Sequence, residues 1–163
     1  MDNKNRFTKS SSIFFNFNTR IYTNFDINIL KIMTDIASKK IPDRFINEKL
    51  AEHWCVDESK ESFEKLMNHL KKTTNMYKFF TKAAESIFKI LKKDKLKIAD
   101  IGGGIGWTSC LLAQSSQVEK IYVVDPSRER LSKGPFVAKH FNLPPSKVKF
   151  IEGTFQNFNL PEK

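Results

Sequence analysis

The chain has 163 residues, 40% of them hydrophobic and 28% charged, which is typical of one globular domain, and it contains no run of about 18 apolar residues that would span a membrane. Cys55 and Cys110 are too few for a disulfide framework and lack the spacing of a zinc site, so we expect a reducing compartment and no bound metal. Lysine and arginine number 28 against 18 acidic residues, which leaves an anionic partner such as nucleic acid open.

Residues 1–25 are predicted to be a disordered or targeting tail. They lack the apolar core of a secretory signal peptide, so export is not expected. Basic residues and serines are interleaved with phenylalanine, which is loosely the composition of an organelle transit peptide, but disordered polar tails share it. We therefore expect a cytoplasmic protein, with targeting to an organelle as the alternative.

A helical N-terminal region is predicted over residues 26–95. Apolar residues at helical spacing predict a first helix over 27–38, and a proline in the first turn can open a second helix over 42–55. A longer amphipathic pattern covers 60–93 and predicts either one helix or two helices broken at residues 73–75. The lysines of this segment fall between the apolar positions and are expected to form a solvated face.

The remainder, residues 96–163, predicts an α/β fold of the Rossmann-like type. Short apolar runs alternate with helical patterns, giving strands over 96–101, 120–124 and 148–151 and helices over 107–114 and 127–141. Connections of this length are too long for hairpins, so the strands are expected to be parallel, with right-handed crossovers and helices on both faces of the sheet. This part is expected to be a partial cofactor-binding domain.

A cluster of glycines follows the first of these strands. A strand-to-helix turn needs one or two glycines, whereas four occur within five residues here, and glycines at the carboxyl end of a parallel strand let the backbone approach a ligand. Trp107 occupies the sixth position of the dinucleotide fingerprint, where glycine is required, and no lysine follows to make a P-loop. Since Asp100 precedes the loop and the loop has no basic residue, a cationic ligand fits better than a polyphosphate.

Asp125 ends the second of these strands and is the second feature that indicates a ligand. A carboxylate at this position can accept two hydrogen bonds from a ribose diol. Such charge-assisted bonds contribute about 1.5–3 kcal/mol each, so the loss of Asp125 is expected to weaken binding at least about tenfold. The competing interpretation is a turn and helix cap formed with Pro126 and Ser127. If one ligand touches both features, Gly104 and Asp125 must lie close together.

Segments 99–106 and 122–127 together resemble the class I S-adenosylmethionine-dependent methyltransferases, over about residues 60–163. The resemblance implies that Asp100 and the glycines line the methionine end of S-adenosylmethionine, that Asp125 binds the ribose, and that Pro126 packs on the adenine. The expected cofactor-binding residues are Asp100, Gly102, Gly103, Gly104, Gly106, Asp125, Pro126, Thr154 and Phe155. Thr154 stands where the family often has an acid that meets the adenine amino group.

The implied activity is methyl transfer to an undetermined acceptor, most simply a small molecule. The sulfonium is already activated, so the protein contributes proximity and alignment; no catalytic residue is identified from the sequence. The alternatives are a non-catalytic binding module of the same fold, a nucleic-acid methyltransferase and an NAD-dependent oxidoreductase. The histidines and tryptophans lack ligand or stacking patterns and are expected to lie on the surface or in packing contacts: His53, His69, His140, Trp54 and Trp107.

The number of strands is also informative. The family's sheet has seven strands, and its fourth strand lies beside the first. Only three are predicted before Lys163, which would leave the first strand with an unpaired apolar edge. We therefore expect the sequence to be part of a longer protein, without a membrane partner and with an oligomeric state that the sequence does not specify.

Overall fold

The computed structural model describes residues 13–15, 50–155 and 157 of the chain. The predicted helix over 27–38, and residues 42–49 of the next predicted helix, lie outside the described residues. Among those that are described, no helix is both long enough and apolar enough to cross a membrane.

The sheet is parallel, and the predicted α/β fold class is confirmed. Its strands, in spatial order, are β1 (Ile13–Phe15), β2 (Leu96–Ile101), β3 (Val118–Asp125) and β4 (Val148–Glu152). The last three match the predicted strands to within two residues at either end. β1 is a short strand that the sequence did not predict, and it pairs with residues 98–100 on the edge of β2 that was expected to be unpaired.

Four α-helices accompany the sheet in the described part of the chain. They are α1 (Lys60–Asn68), α2 (Met76–Leu91), α3 (Trp107–Ala113) and α4 (Arg128–His140). A π-helical turn over His69–Thr73 continues α1, and Asn75 then adopts a left-handed φ of 56°, so the two-helix interpretation of residues 60–93 is correct. The prediction of a helix over 42–55 is wrong for its described part, residues 50–55. These residues contain one 3₁₀ turn, Glu52–Trp54, and no α-helix.

One core cluster joins the sheet to three helices. Alternate residues of β2, β3 and β4 contact one residue or more from each of α2, α3 and α4. The cluster includes Ile98, Ile121, Val123 and Val148 of the strands with Ala84, Leu112 and Leu131 of the helices. α2, α3 and α4 therefore pack on the same face of the sheet. For these three helices, the expectation of helices on both faces is wrong. The reason is that β2, β3 and β4 follow one another in the same direction across the sheet, and right-handed crossovers then place their helices on the same face.

A second core cluster packs the N-terminal segments on the outer side of α3 and α4. Leu66 and Leu70 are fully buried against Trp107 and Phe141 in this cluster. Phe63 of α1 also stacks on the ring of His140 with 4.5 Å between centroids. This packing brings residues 50–56 close to the turn between β2 and α3, which is where the glycines lie.

Candidate functional site

The glycine loop is held at the end of β2 by backbone hydrogen bonds to the neighbouring strand. The N–H groups of Gly102 and Gly103 both donate to the carbonyl of Val124, at 2.7 and 3.3 Å. Gly102, Gly104 and Gly106 have φ values of +75°, +58° and +73°, a left-handed conformation that L side chains rarely adopt. The loop therefore needs glycine at these three positions for its backbone path.

Gly103 is required for a different reason. A Cβ atom at this position would lie 2.8 Å from Cγ1 of Val123 and 2.9 Å from Cγ of Asp100. Both neighbours are buried, so neither can move away cheaply. The backbone of Gly103 thus lies directly over the carboxylate of Asp100.

Asp100 is a buried carboxylate whose hydrogen bonds are incomplete. Asp100 is only 1% exposed. Its Oδ2 accepts hydrogen bonds from Thr108 Oγ1 at 3.1 Å and from Ser109 Oγ at 2.6 Å. Oδ1 is buried as well and has no hydrogen-bond partner among the described residues. Burial, with a smaller contribution from the charge of Asp125, raises the pKa of Asp100. A buried carboxyl group, one oxygen of which has no partner in the described part of the chain, therefore adjoins Gly103 of the loop.

Asp125 lies beside the loop, and the predicted proximity of Gly104 and Asp125 is confirmed. The N–H of Gly104 donates to Asp125 Oδ2 at 2.9 Å, and the N–H of Ser127 donates to Oδ1 at 2.8 Å. The residue is 2% exposed. Its carboxylate thus ties the loop to the following turn, and both oxygens are already bonded to backbone N–H groups.

A pocket of about 230 Å³ opens above the loop. Gly103 and Gly104 contribute backbone to it, the turn and α3 contribute two apolar side chains, and the N-terminal segment contributes two more. Its lining consists of Leu50, Trp54, Gly103, Gly104, Ile105, Trp107 and Arg130. The volume lies just below the range of about 300–1,000 Å³ that is usual for small-molecule sites.

Of the nine predicted cofactor-binding residues, the pocket lining includes Gly103 and Gly104. Seven lie outside it: Asp100, Gly102, Gly106 and Asp125, which surround the loop, and Pro126, Thr154 and Phe155, which follow the next two strands. Pro126 follows β3 and is half-buried, and Thr154 and Phe155 follow β4. The backbone N–H and Oγ1 of Thr154 both donate to Asn157 Oδ1, at 2.8 and 2.9 Å, so this hydroxyl is engaged in a local turn. Pro126, Thr154 and Phe155 share the carboxyl edge of the sheet with the loop, but the pocket lining does not include them.

Sequence analysis missed several residues that the pocket contains. Trp54 and Trp107 were interpreted as packing residues, and Trp107 does belong to the second core cluster, yet both line the pocket. Arg130 was not singled out at all. The available signal was its position in the first turn of α4, since the residues that open this helix follow a strand adjacent to the glycine loop.

Other chemistries find little support in the described residues. No group of three histidine, cysteine, aspartate or glutamate side chains there is arranged to hold a metal ion. Burial raises the pKa of the Cys110 thiol to about 12, so it is not a thiolate nucleophile at neutral pH. Comparison of the chain with protein-family models, with curated protein sequences and with solved structures finds no match.

Proposed function

We propose that this protein binds S-adenosylmethionine over the glycine loop and takes part in methyl transfer to a small-molecule acceptor. The observation that carries the proposal is the buried carboxyl group of Asp100, which adjoins Gly103 of the pocket lining and whose Oδ1 has no hydrogen-bond partner among the described residues. Unbonded buried carboxylate oxygens are costly, and a ligand with positive charge compensates for that cost. The ligand in question has both an ammonium and a sulfonium group.

Part of the pocket lining favours the same kind of ligand, whereas Arg130 adds one positive charge to it. Trp54 and Trp107 belong to the lining, and aromatic side chains attract cations. Asp100 contributes negative charge through the backbone of Gly103. The loop itself contributes no side chain that would repel a sulfonium.

S-Adenosylmethionine would supply a methyl group already activated by a positively charged sulfur. The work left to the protein is to bind this group, orient it toward an acceptor and exclude water, and such positioning accounts for up to about 7–11 kcal/mol of a barrier. The loop backbone and the two indole rings are the residues that would hold it. No general acid or base is required of the residues around the pocket.

A second candidate is a protein of this fold that binds a ligand without catalysis. The engagement of both Asp125 oxygens with Gly104 and Ser127 favours it, because a ribose diol could then bind Asp125 only if the loop moved or shared these oxygens. A substantial minority of proteins rearrange loops on binding, so binding alone does not separate the two candidates and turnover does.

Titration calorimetry on the full chain tests the proposal, with S-adenosylmethionine, S-adenosylhomocysteine and NAD as separate titrants. We expect saturable binding of the two adenosyl sulfur compounds and none of NAD. Binding of NAD alone would support an oxidoreductase and contradict the proposal. If S-adenosylmethionine binds but no methyl group is transferred to any offered small-molecule acceptor, the non-catalytic candidate is favoured.

A further inference from the structure

The outer face of α2 is formed by exposed residues that neither core cluster includes. They are Lys78, Phe79, Lys82, Ala83, Ser86, Lys89 and Ile90, and the periodicity of an α-helix places them along one side of α2. The opposite side of the helix is buried, because Phe80, Ala84 and Phe88 pack in the core clusters. The outer face therefore makes no contribution to the core.

Two large apolar side chains lie on this face. Phe79 is 69% exposed and Ile90 is 78% exposed. Their separation along the chain is about three helical turns, so both side chains project in nearly the same direction from points about 16 Å apart. A single exposed apolar residue is ordinary on a protein surface. Two that project together, from a helix already buried on its other side, are the apolar component of a surface that can bind a partner.

The lysines of the outer face are its charged component. Lys78, Lys82 and Lys89 make no ion pair with any described residue, and Glu85, the one acidic residue of α2, lies at the border of the face. Lysines of the other helices are paired with acids: Lys60 with Glu64, Lys65 with Glu61, and Lys139 with Glu58. Positive charge is thus left uncompensated beside the two exposed apolar side chains.

An anionic lipid surface matches both components of the outer face. Lysines are attracted to anionic headgroups, and apolar side chains enter the boundary between headgroups and acyl chains. A second copy of the chain would bring lysines against lysines, which is unfavourable. Nucleic acid would match the charge, but Ile90 has no aromatic ring on which a base could stack, and the face has no arginine. The observations therefore favour lipid.

We propose that the outer face of α2 attaches this protein to an anionic membrane surface, with Phe79 and Ile90 entering the headgroup region and Lys78, Lys82 and Lys89 contacting the headgroups. The sequence predicted no membrane partner because it has no run long enough to span a bilayer, but attachment to a surface needs no such run. The proposal does not depend on the identity of the ligand in the pocket.

The test is co-sedimentation of the full chain with vesicles of phosphatidylcholine alone and of equal parts phosphatidylcholine and phosphatidylserine. We expect binding to the anionic vesicles, weakened by salt, and none to the neutral ones. The double variant Lys82→Gln/Lys89→Gln should bind about tenfold more weakly or worse, because two lysines leave the surface. The control Lys60→Gln/Lys139→Gln removes the same charge from α1 and α4, where the side chains are 88% and 66% exposed, and should change binding little.

A second pair of variants tests the apolar component. Phe79→Ser/Ile90→Ser should weaken binding to the anionic vesicles about tenfold, whereas Phe79→Leu/Ile90→Leu should keep it, because leucine retains the apolar area. Both side chains are exposed, so all variants should fold, and thermal melts verify this.

Several outcomes would overturn the proposal. Failure of the wild type to bind anionic vesicles would do so directly, and so would equal binding to neutral ones. Equal weakening by the two lysine pairs would show attraction by net charge and not by the outer face. Unchanged binding of the serine pair would show that the apolar side chains do not enter the lipid. Binding of single-stranded RNA that depends on Lys82 and Lys89, without vesicle binding, would assign the face to nucleic acid instead.

Discussion

Two aspartates at the carboxyl ends of neighbouring strands are used by this protein in different ways. Asp125, at the end of β3, accepts hydrogen bonds on both oxygens from backbone N–H groups of two turns. Asp100, one residue before the end of β2, accepts hydroxyl donors on Oδ2 and leaves Oδ1 buried without a partner among the described residues. Both side chains are buried, so exposure does not explain the difference.

The comparison separates a structural carboxylate from one with capacity for a ligand. Asp125 stabilises the loop from the side and has little left to offer a ligand while the loop keeps this conformation. Asp100 supports the loop from below, and the residue directly above it has no side chain. Sequence reasoning assigned both aspartates to the cofactor, whereas the geometry favours Asp100 for electrostatics and Asp125 for the architecture of the loop.

Replacement of Asp125 is expected to have the largest effect on stability. In Asp125→Asn, the amide can accept from only one of the N–H groups of Gly104 and Ser127, and the charge that strengthens both bonds is lost. We expect the free energy of unfolding in urea to fall by about 2–4 kcal/mol. The control Asp94→Asn changes an exposed aspartate and should stay within about 0.5 kcal/mol. Equal effects of the two substitutions would remove the structural role assigned to Asp125.

The second prediction concerns Phe150, whose ring connects the glycine loop to α4. A Cβ on Gly134 would overlap this ring, and a Cβ on Gly106 would lie 2.8 Å from its Cε1. We expect Gly134→Ala to lower the free energy of unfolding by about 1–3 kcal/mol, since overpacking forces a backbone or side-chain shift. A double-mutant cycle with Phe150→Leu should recover part of the loss; strict additivity would show that the ring is not the obstacle.

Asp100→Asn is expected to act in the opposite direction from Asp125→Asn on stability, with a smaller magnitude. A carboxyl group whose pKa is raised by burial favours folding at low pH, and this contribution is lost as the pH rises through its folded pKa, which lies above the ordinary 3.8. The wild type should therefore lose stability relative to Asp100→Asn between pH 4 and pH 7 in thermal melts. A constant difference across this range would mean that Asp100 does not titrate as proposed.

The affinity of Asp100→Asn for S-adenosylmethionine tests whether Asp100, unlike Asp125, acts on a ligand. Asp100→Asn removes the negative charge beneath Gly103 while keeping an acceptor for Thr108 and Ser109. We expect the affinity for S-adenosylmethionine to fall about tenfold in calorimetry, because a charge-assisted interaction is lost. Unchanged affinity in a stable variant would show that the unbonded oxygen serves no ligand.

The smallest expected effect concerns His53, which precedes the pocket residue Trp54 in the chain. His53 stacks on His69 with ring centroids 3.8 Å apart, and Trp54 contacts His69 edge-on. Burial, and to a lesser degree the charge of His69, lowers the pKa of His53 below 6.5. The contribution of neutral His53 to stability should thus be complete above about pH 6.5 and decline as the pH falls through the pKa of His53 in the folded protein. Melting temperatures of His53→Phe should depend less on pH between 5 and 8 than those of the wild type.

Much of the fold followed from local patterns. Leu96–Ile101 is a short apolar run ending at glycines, and the strand has these bounds. The break of the long amphipathic segment near residues 73–75 was one of two predicted alternatives, and Asn75 makes it by adopting a left-handed backbone. β1 was not predicted, because three residues in a polar tail carry no periodicity from which a strand can be recognised.

The site was predicted only in part. The loop glycines and the closeness of Gly104 to Asp125 followed from the rule that parallel strands end at one edge of the sheet. Which atoms of those residues are available did not follow, because that depends on hydrogen bonds such as the one from Gly104 to Asp125. The pairing of Gly134 with the Phe150 ring was likewise invisible, since it joins a helix interior to a strand that no spacing rule connects.

The amino-acid sequence by itself determined the alternation of strands and helices and the glycine turn that follows β2. These properties depend on residues close together in the chain. Only the tertiary structure decided that Trp54 and Arg130 line one pocket with Gly103, and that Asp100 rather than Asp125 has an oxygen without a hydrogen-bond partner among the described residues. The physical reason is that burial and hydrogen-bond satisfaction are set by packing between distant segments, which local sequence patterns do not encode.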